Sequence, residues 1–200
     1  MALLETHSVS QNPGSEGTAA LIRSAIGAIE SLLLAQDFNA WKSRDEMGVQ
    51  HVFTGYLVGN GMDPRPKVRK RVLEAIKKVL SNPPASPSGV HPAGDGTATV
   101  CLHTVQAQFA QSNKKKAKES SEWDPKAVHS LQLLKTVASA VPWPKTSIRE
   151  LVELLLKLSS EAYDDIIRLA ALEVFQVIFG QGSEGMDAQR LCEIIEVCTT

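Results

Sequence analysis

The chain has 200 residues, of which 43% are hydrophobic and 22% charged, and a formal net charge of −1. That is enough apolar material to bury a sizeable core as one domain or a short array of repeats, and too much for disorder throughout. No apolar run reaches the roughly 18 residues of a membrane span, and MALLETHSVSQNPGSEG lacks the basic start and apolar stretch of a signal peptide. The three cysteines, Cys101, Cys192 and Cys198, have no framework spacing, so the expectation is an intracellular protein with reduced thiols and no disulfide.

The small net charge hides an uneven distribution. Residues 1–80 carry ten positive and eight negative groups, residues 81–144 six and four, and residues 145–200 five and ten. The stretch DPRPKVRKRVLEAIKKVL, residues 63–80, holds seven positive groups against two negative ones. A basic island and an acidic C-terminal quarter bear on partners and say nothing about fold.

Aromatic residues are only 5% of the chain and no long run alternates apolar with polar residues, so strands are not expected, whereas helical spacing recurs throughout. After a flexible leader over residues 1–17, Thr18 can cap a helix with Leu21, Ile22, Ala25, Ile26, Ile29, Leu32 and Leu33 on its apolar side, ending near Gln36. A second helix is expected from about Arg44 to Val58, apolar at Met47, Val52, Phe53, Tyr56 and Leu57, and GNGMDPRP breaks it.

Pro66, a good first-turn residue, restarts a helix whose buried stripe is Val68, Val72, Ala75, Ile76, Val79 and Leu80. Residues 81–97, rich in Pro, Gly and Ser, read as a long loop. A helix from about Thr97 to Gln111 comes next, and residues 112–124 form a polar, disordered insert. Pro125 opens a helix apolar at Val128, Leu131, Leu134, Val137, Ala138 and Val141, stopped by PWP. KTSIRELVELLLKLSS and EAYDDIIRLAALEVFQVIFGQ make the next pair, and a last segment from about Asp187 to Val197 is apolar at Leu191, Ile194 and Ile195. About eight helices and no sheet predict an all-α fold, an α-solenoid of helical hairpins over residues 18–200 in which each pair covers its neighbour.

Two of the helices resemble each other. Val68-Arg69 aligns with Ile167-Arg168, Val72 with Ala171, Leu73 with Leu172, Ala75 with Val174 and Ile76 with Phe175, and acidic residues precede both. An Asp63-Pro64 turn followed by Val-Arg and a small-apolar run resembles the second helix of a HEAT repeat. HVFTGYLVGNGMDPRPKVRKRVLEAIKKVL, then a variable loop, then KAVHSLQLLKTVASAVPWPKTSIRELVELLLKLSS and DIIRLAALEVFQVIFGQ resemble the ribosomal-RNA-processing protein 12 family over about residues 45–182. These are long nuclear HEAT-repeat proteins of ribosome assembly, so the resemblance implies that this chain is a fragment of a longer solenoid. A final segment with an apolar stripe and no helix after it agrees with that.

No catalytic arrangement is found, and the expectation is a protein that is not an enzyme, with no cofactor and no small-molecule substrate. His7, His51, His91, His103 and His129 are scattered, and Cys101 with His103 is one pair where a zinc site needs four ligands, so no metal is expected. GNGMDP lacks the Lys-Ser/Thr of a phosphate loop and reads as a turn. Asp164 and Asp165 fit helix capping better than acid–base work. Lys67, Lys70, Arg71, Lys77 and Lys78 are the candidate phosphate ligands, a ridge that would bind RNA by counterion release without reading sequence. In the other reading of this helix, Asp63 braces the turn, Arg69 pairs with carboxylates of an adjacent repeat, and the lysines are a solvated face. NKKKAKE, residues 113–119, could be gripped by a nuclear carrier or be a solvated loop.

The resemblance implies a non-catalytic scaffold in the nucleolus and nucleus, shuttling to the cytoplasm. It would act in processing and export of small-subunit pre-ribosomal particles, with pre-rRNA, assembly factors, Ran GTPase and nucleoporins as partners and no membrane. The alternative is a nuclear transport receptor or another HEAT-repeat adaptor that binds protein cargo and no RNA.

Overall fold

The structure, a computed structural model, describes residues 16–43, 48–85, 89–116, 125–160 and 163–180. Among them every regular element is helical, and none of these helices is long and apolar enough to cross a membrane. The chain divides into two compact units, Met1–Thr97 and Ala98–Thr200.

In the first unit, α1 (Glu16–Leu34) buries Ile22, Ile26 and Leu33 at helical spacing, with Glu30 in the same stripe. Leu21 and Leu32, expected on the apolar side, are exposed. α2 (Phe38–Lys42) is a single turn that the sequence reading missed; five residues carry too little periodicity to register. It is held by its cap, since the Asp37 carboxylate accepts the Ala40 N–H at 2.8 Å, and by buried Trp41. α3 (Val49–His51) runs into a π-helical turn, Val52–Leu57, and a 3₁₀ turn, Val58–Asn60. The widened turn changes which side chains face inward: Phe53, Leu57 and Val58 are buried, while Val52 and Tyr56 are only half-buried.

α4 (Pro66–Leu80) opens on Pro66 and buries the six residues its spacing predicts: Val68, Val72, Ala75, Ile76, Val79 and Leu80. It packs on α1 and on the π-helical turn. The loop after it passes through Gly89 at φ 63°, a left-handed position where a Cβ would be strained, and returns His91 to the core. There the imidazole stands edge-on to Trp41, with centroids 4.4 Å apart, and its Nδ1 accepts the Ala93 N–H at 3.2 Å. Phe53 completes this aromatic cluster, edge-on to Trp41 at 5.6 Å.

α5 (Gly94–Lys116) starts inside the loop expected at 81–97 and continues through Lys116, well into the insert expected at 112–124. The run from Ser112 to Lys116 contains three lysines, good helix formers, so its low hydrophobicity did not mark the end of the helix. Residues 117–124 lie outside the described residues.

In the second unit α5 buries Cys101, Leu102, Val105 and Phe109. α6 (Pro125–Ala138) buries Leu131, Leu134, Val137 and Ala138 as expected, with Leu133 in addition; Val128 is half-buried. α7 (Ile148–Leu158) buries Ile148, Leu151, Val152, Leu155 and Leu158, and α8 (Asp165–Gly180) buries Ile167, Ala171 and Val174. α8 packs on its hairpin partner α7 and on α6, the second helix of the preceding pair. In the first unit α1 and α4 make a similarly close helix–helix contact. This is how a HEAT-like array buries what a lone hairpin cannot. The expected leader falls mainly on residues 1–15, and the expected last helix, from about Asp187 to Val197, on residues 181–200; both lie outside the described residues.

Candidate functional site

The turn before α4 is built from side-chain acceptors. The buried Asp63 carboxylate takes the Arg65 backbone N–H at 2.9 Å and grips the Arg65 guanidinium through Nε at 2.9 Å and Nη2 at 2.6 Å. Arg69 Nη1 reaches back to donate to the Asp63 carbonyl at 2.7 Å. Asp63 therefore braces its own turn as the sequence suggested, whereas Arg69 binds main-chain oxygen of that turn and not a carboxylate of the neighbouring repeat. Pro64 and Pro66 have no N–H to offer the Asp63 carbonyl, and the Arg69 guanidinium one turn along α4 supplies a donor instead.

The five candidate phosphate ligands divide into two sets. Arg71 Nη1 donates to Glu30 Oε2 at 2.6 Å and Lys78 Nζ to Glu30 Oε1 at 2.7 Å, so one carboxylate of α1 holds two cations of α4. The Arg71 guanidinium lies over Gly27, where a Cβ would stand 3.4 Å from Nη2. Lys67, Lys70 and Lys77 make no contact with Glu30 and are exposed, with Glu74 among them. The positions 67, 70, 74 and 77 follow one another at three and four residues, so these groups form a single line along the helix.

Glu30 is the residue that sequence reasoning missed. It is 4% exposed, and its spacing from Ile22 and Ile26 placed it in the apolar stripe, where a carboxylate among α1's hydrophobic residues was the available signal. Burial alone would raise its carboxyl; hydrogen bonds from Lys78 and Arg71 outweigh burial and hold it below the ordinary 4.5.

The other sequence candidates separate in the same way. The buried Cys101 thiol is pushed up to about 12 by desolvation, far from the thiolate that metal binding or nucleophilic attack needs, while His103 two residues on is exposed. Among the described residues no three His, Cys, Asp or Glu side chains gather to hold a metal; Cys192 and Cys198 lie outside them. At the start of α8, Asp164 accepts the Ile166 N–H at 2.8 Å and Asp165 accepts from Arg168 Nη1 at 2.9 Å. These are capping and intrahelical contacts, as the two carboxylates' position predicted. In the second motif, Ile167 is buried and Arg168 lies beside its own helix start.

A family model for RRP12-like, N-terminal HEAT repeats matches residues 5–175. The chain is 32% identical over 186 residues to ribosomal RNA-processing protein 12 of Saccharomyces cerevisiae, covering 89% of this chain and 15% of that protein. A second relative of that name, from Schizosaccharomyces pombe, is 26% identical over 163 residues, covering 81% of this chain and 13% of its own length. The chain thus spans about a seventh of the curated relatives it matches. No solved structure gives a significant match. With a helical-hairpin architecture, Asp-Pro and Val-Arg signatures at the expected turn, and a family match over most of its length, the chain belongs to the RRP12-like family, in its N-terminal HEAT-repeat region.

Proposed function

We propose that this chain is part of a non-catalytic HEAT-repeat scaffold that associates with small-subunit pre-ribosomal particles during pre-rRNA processing and nuclear export. The observation that carries the reading is the match to RRP12-like N-terminal HEAT repeats over residues 5–175, together with relatives named for ribosomal RNA processing. The protein would work in the nucleolus and nucleus and shuttle to the cytoplasm. Assembly factors would be its companions on the particle, and Ran GTPase and nucleoporins its companions on export.

Toward pre-rRNA, the exposed line of Lys67, Lys70 and Lys77 is the contact, with Lys78 at its margin because that side chain stays 59% exposed while bound to Glu30. Such a line neutralises a few phosphates and gives a salt-dependent, sequence-independent contact. Arg71 serves the ridge by fixing α4 on α1.

The test is an affinity purification from nuclear extract with the full-length parent chain, at low and moderate salt, identifying both RNA and protein. Recovery of pre-rRNA with small-subunit assembly factors is expected. Recovery of import cargo or a phosphatase subunit without rRNA would replace this function with that of a transport receptor or adaptor.

A further inference from the structure

Within the second unit, a groove of about 330 Å³ opens between α5 and α7, the first helices of successive hairpins. Its floor is apolar: Phe109 and Leu158 are buried beneath it, Leu154 is half-buried, and Tyr163 from the α7–α8 turn closes one end by standing edge-on to Phe109 at 6.0 Å. Its rim is charged. Glu150 and Glu153 are exposed on α7 three residues apart, one turn before Lys157. Glu153 accepts from Arg149 Nε at 3.1 Å, but both partners are more than half exposed, so the pair holds it only weakly.

The geometry points to this groove as a docking site for a basic peptide segment of a protein partner, seating one apolar side chain on the Phe109–Leu154–Leu158 floor and one or two cations against Glu150 and Glu153. The volume is at the small end of binding clefts, which run from about 300 to 1,000 Å³. It admits a side chain or two and no folded domain. The floor would be spent on a ligand without an apolar group, and the two rim carboxylates repel phosphate, so charge selects a cationic polypeptide over RNA. Lys157 at the end of the same row disfavours a cation there and gives the peptide a direction. The site is separate from the lysine line on α4 and does not rest on it.

The test titrates the full chain with a fluorescent lysine-alanine peptide carrying one central leucine, the same peptide with alanine at that position, and a short oligouridylate. We expect the leucine peptide to bind about tenfold more tightly than its alanine counterpart, the worth of one buried aliphatic side chain. The paired neutralisation Glu150→Gln and Glu153→Gln should weaken it by about fivefold with a melt within a few degrees of the wild type, as should Ala110→Trp, which fills the groove from an exposed wall position. Lys70→Glu with Lys77→Glu should leave peptide binding as it is, so that loss of the RNA contact and loss of this site are told apart. Equal binding of the two peptides, indifference to the rim substitutions, or oligouridylate binding to the chain that the same groove variants abolish would each overturn the proposal. So would self-association of the chain that the same groove variants abolish, since that assigns the groove to a second copy.

Discussion

Glu30 is the side chain whose replacement most sharply separates scaffold from binding surface. Its carboxylate is 6% exposed and takes one hydrogen bond from Arg71, 28% exposed, and one from Lys78, 59% exposed. Breaking a fully buried pair costs about 3 to 5 kcal/mol. Here the Lys78 contact is discounted to a surface value of about 0.5 kcal/mol, because its ammonium rehydrates when released. The Arg71 contact keeps the worth of a charge-assisted bond to a buried acceptor, about 1.5 to 2 kcal/mol. Glu30→Gln preserves shape and removes the charge, so the expected loss is about 2 kcal/mol, or a drop in melting temperature of about 4 to 8 °C for a chain of this size.

Thermal unfolding followed by circular dichroism measures it, and a cycle with Arg71→Met tests the pairing: the double variant should be less destabilised than the sum of the singles. Acid gives a second handle. A carboxyl held below its ordinary 4.5 in the fold contributes stability that is complete above that value and lost as pH falls through the lowered one. The slope below pH 4.5 should therefore be shallower in Glu30→Gln. A variant melting within about a degree of the wild type would refute the reasoning, since α1 would then be held on α4 by its apolar stripe alone.

Burial pushes the His91 imidazole down to about 4, so as pH falls from about 6.5 to 4 the unfolded chain gains a proton that the fold refuses. Stability should fall across that window by on the order of 2 kcal/mol, and urea midpoints measured over the window should flatten in His91→Leu. Ile76 is fully buried on α4, and Ile76→Ala should cost about 3 kcal/mol in denaturant unfolding, with a loss below about 1 kcal/mol counting against the helix phasing. Lys70→Gln with Lys77→Gln should weaken particle or RNA association, most at low salt, while moving the melting temperature by no more than about two degrees, because both side chains are exposed and no like charges are set beside Glu74.

Much of the fold was legible because helix faces obey one period. All six buried positions of α4, and five of the six expected on and just after α6, Val141 included, follow from spacing alone. What spacing could not show were departures from that period and short elements held by particular contacts. The π-helical turn at Val52–Leu57 shifts the inward face by a residue, so Val58 is buried in place of Val52. α2 exists through the Asp37 cap and Trp41. The site was legible as a set of cations but not as an arrangement. Nothing local in PKVRKRVLEAIKKVL distinguishes Arg71 and Lys78 from Lys70 and Lys77; the difference is made by Glu30, forty-one residues before Arg71.

The repeated Asp and Arg signature shows the same division between what a motif specifies and what its surroundings add. Both second helices begin after an acidic turn and carry a buried β-branched residue, Val68 or Ile167, followed by arginine. In each case an aspartate oxygen accepts a backbone N–H two residues on, Asp63 from Arg65 and Asp164 from Ile166. That bond depends only on local geometry, so it recurs although Asp63 stands five residues before Val68 and Asp164 three before Ile167. The arginines then diverge. Arg69 spans six residues to the Asp63 carbonyl, because the two prolines of its turn remove N–H donors and leave a main-chain acceptor open. Arg168 follows no proline and settles on the Asp165 carboxylate three residues before it. The motif thus encodes a helix start, and the proline content of the turn decides what the arginine holds. Replacing Pro64 and Pro66 together by alanine should accordingly loosen Arg69 from its carbonyl, seen as faster hydrogen exchange at the amides of the first turn of α4, while the exchange of α8 stays unchanged. Equal protection at α4 in the variant would place the anchor of Arg69 elsewhere than in the prolines.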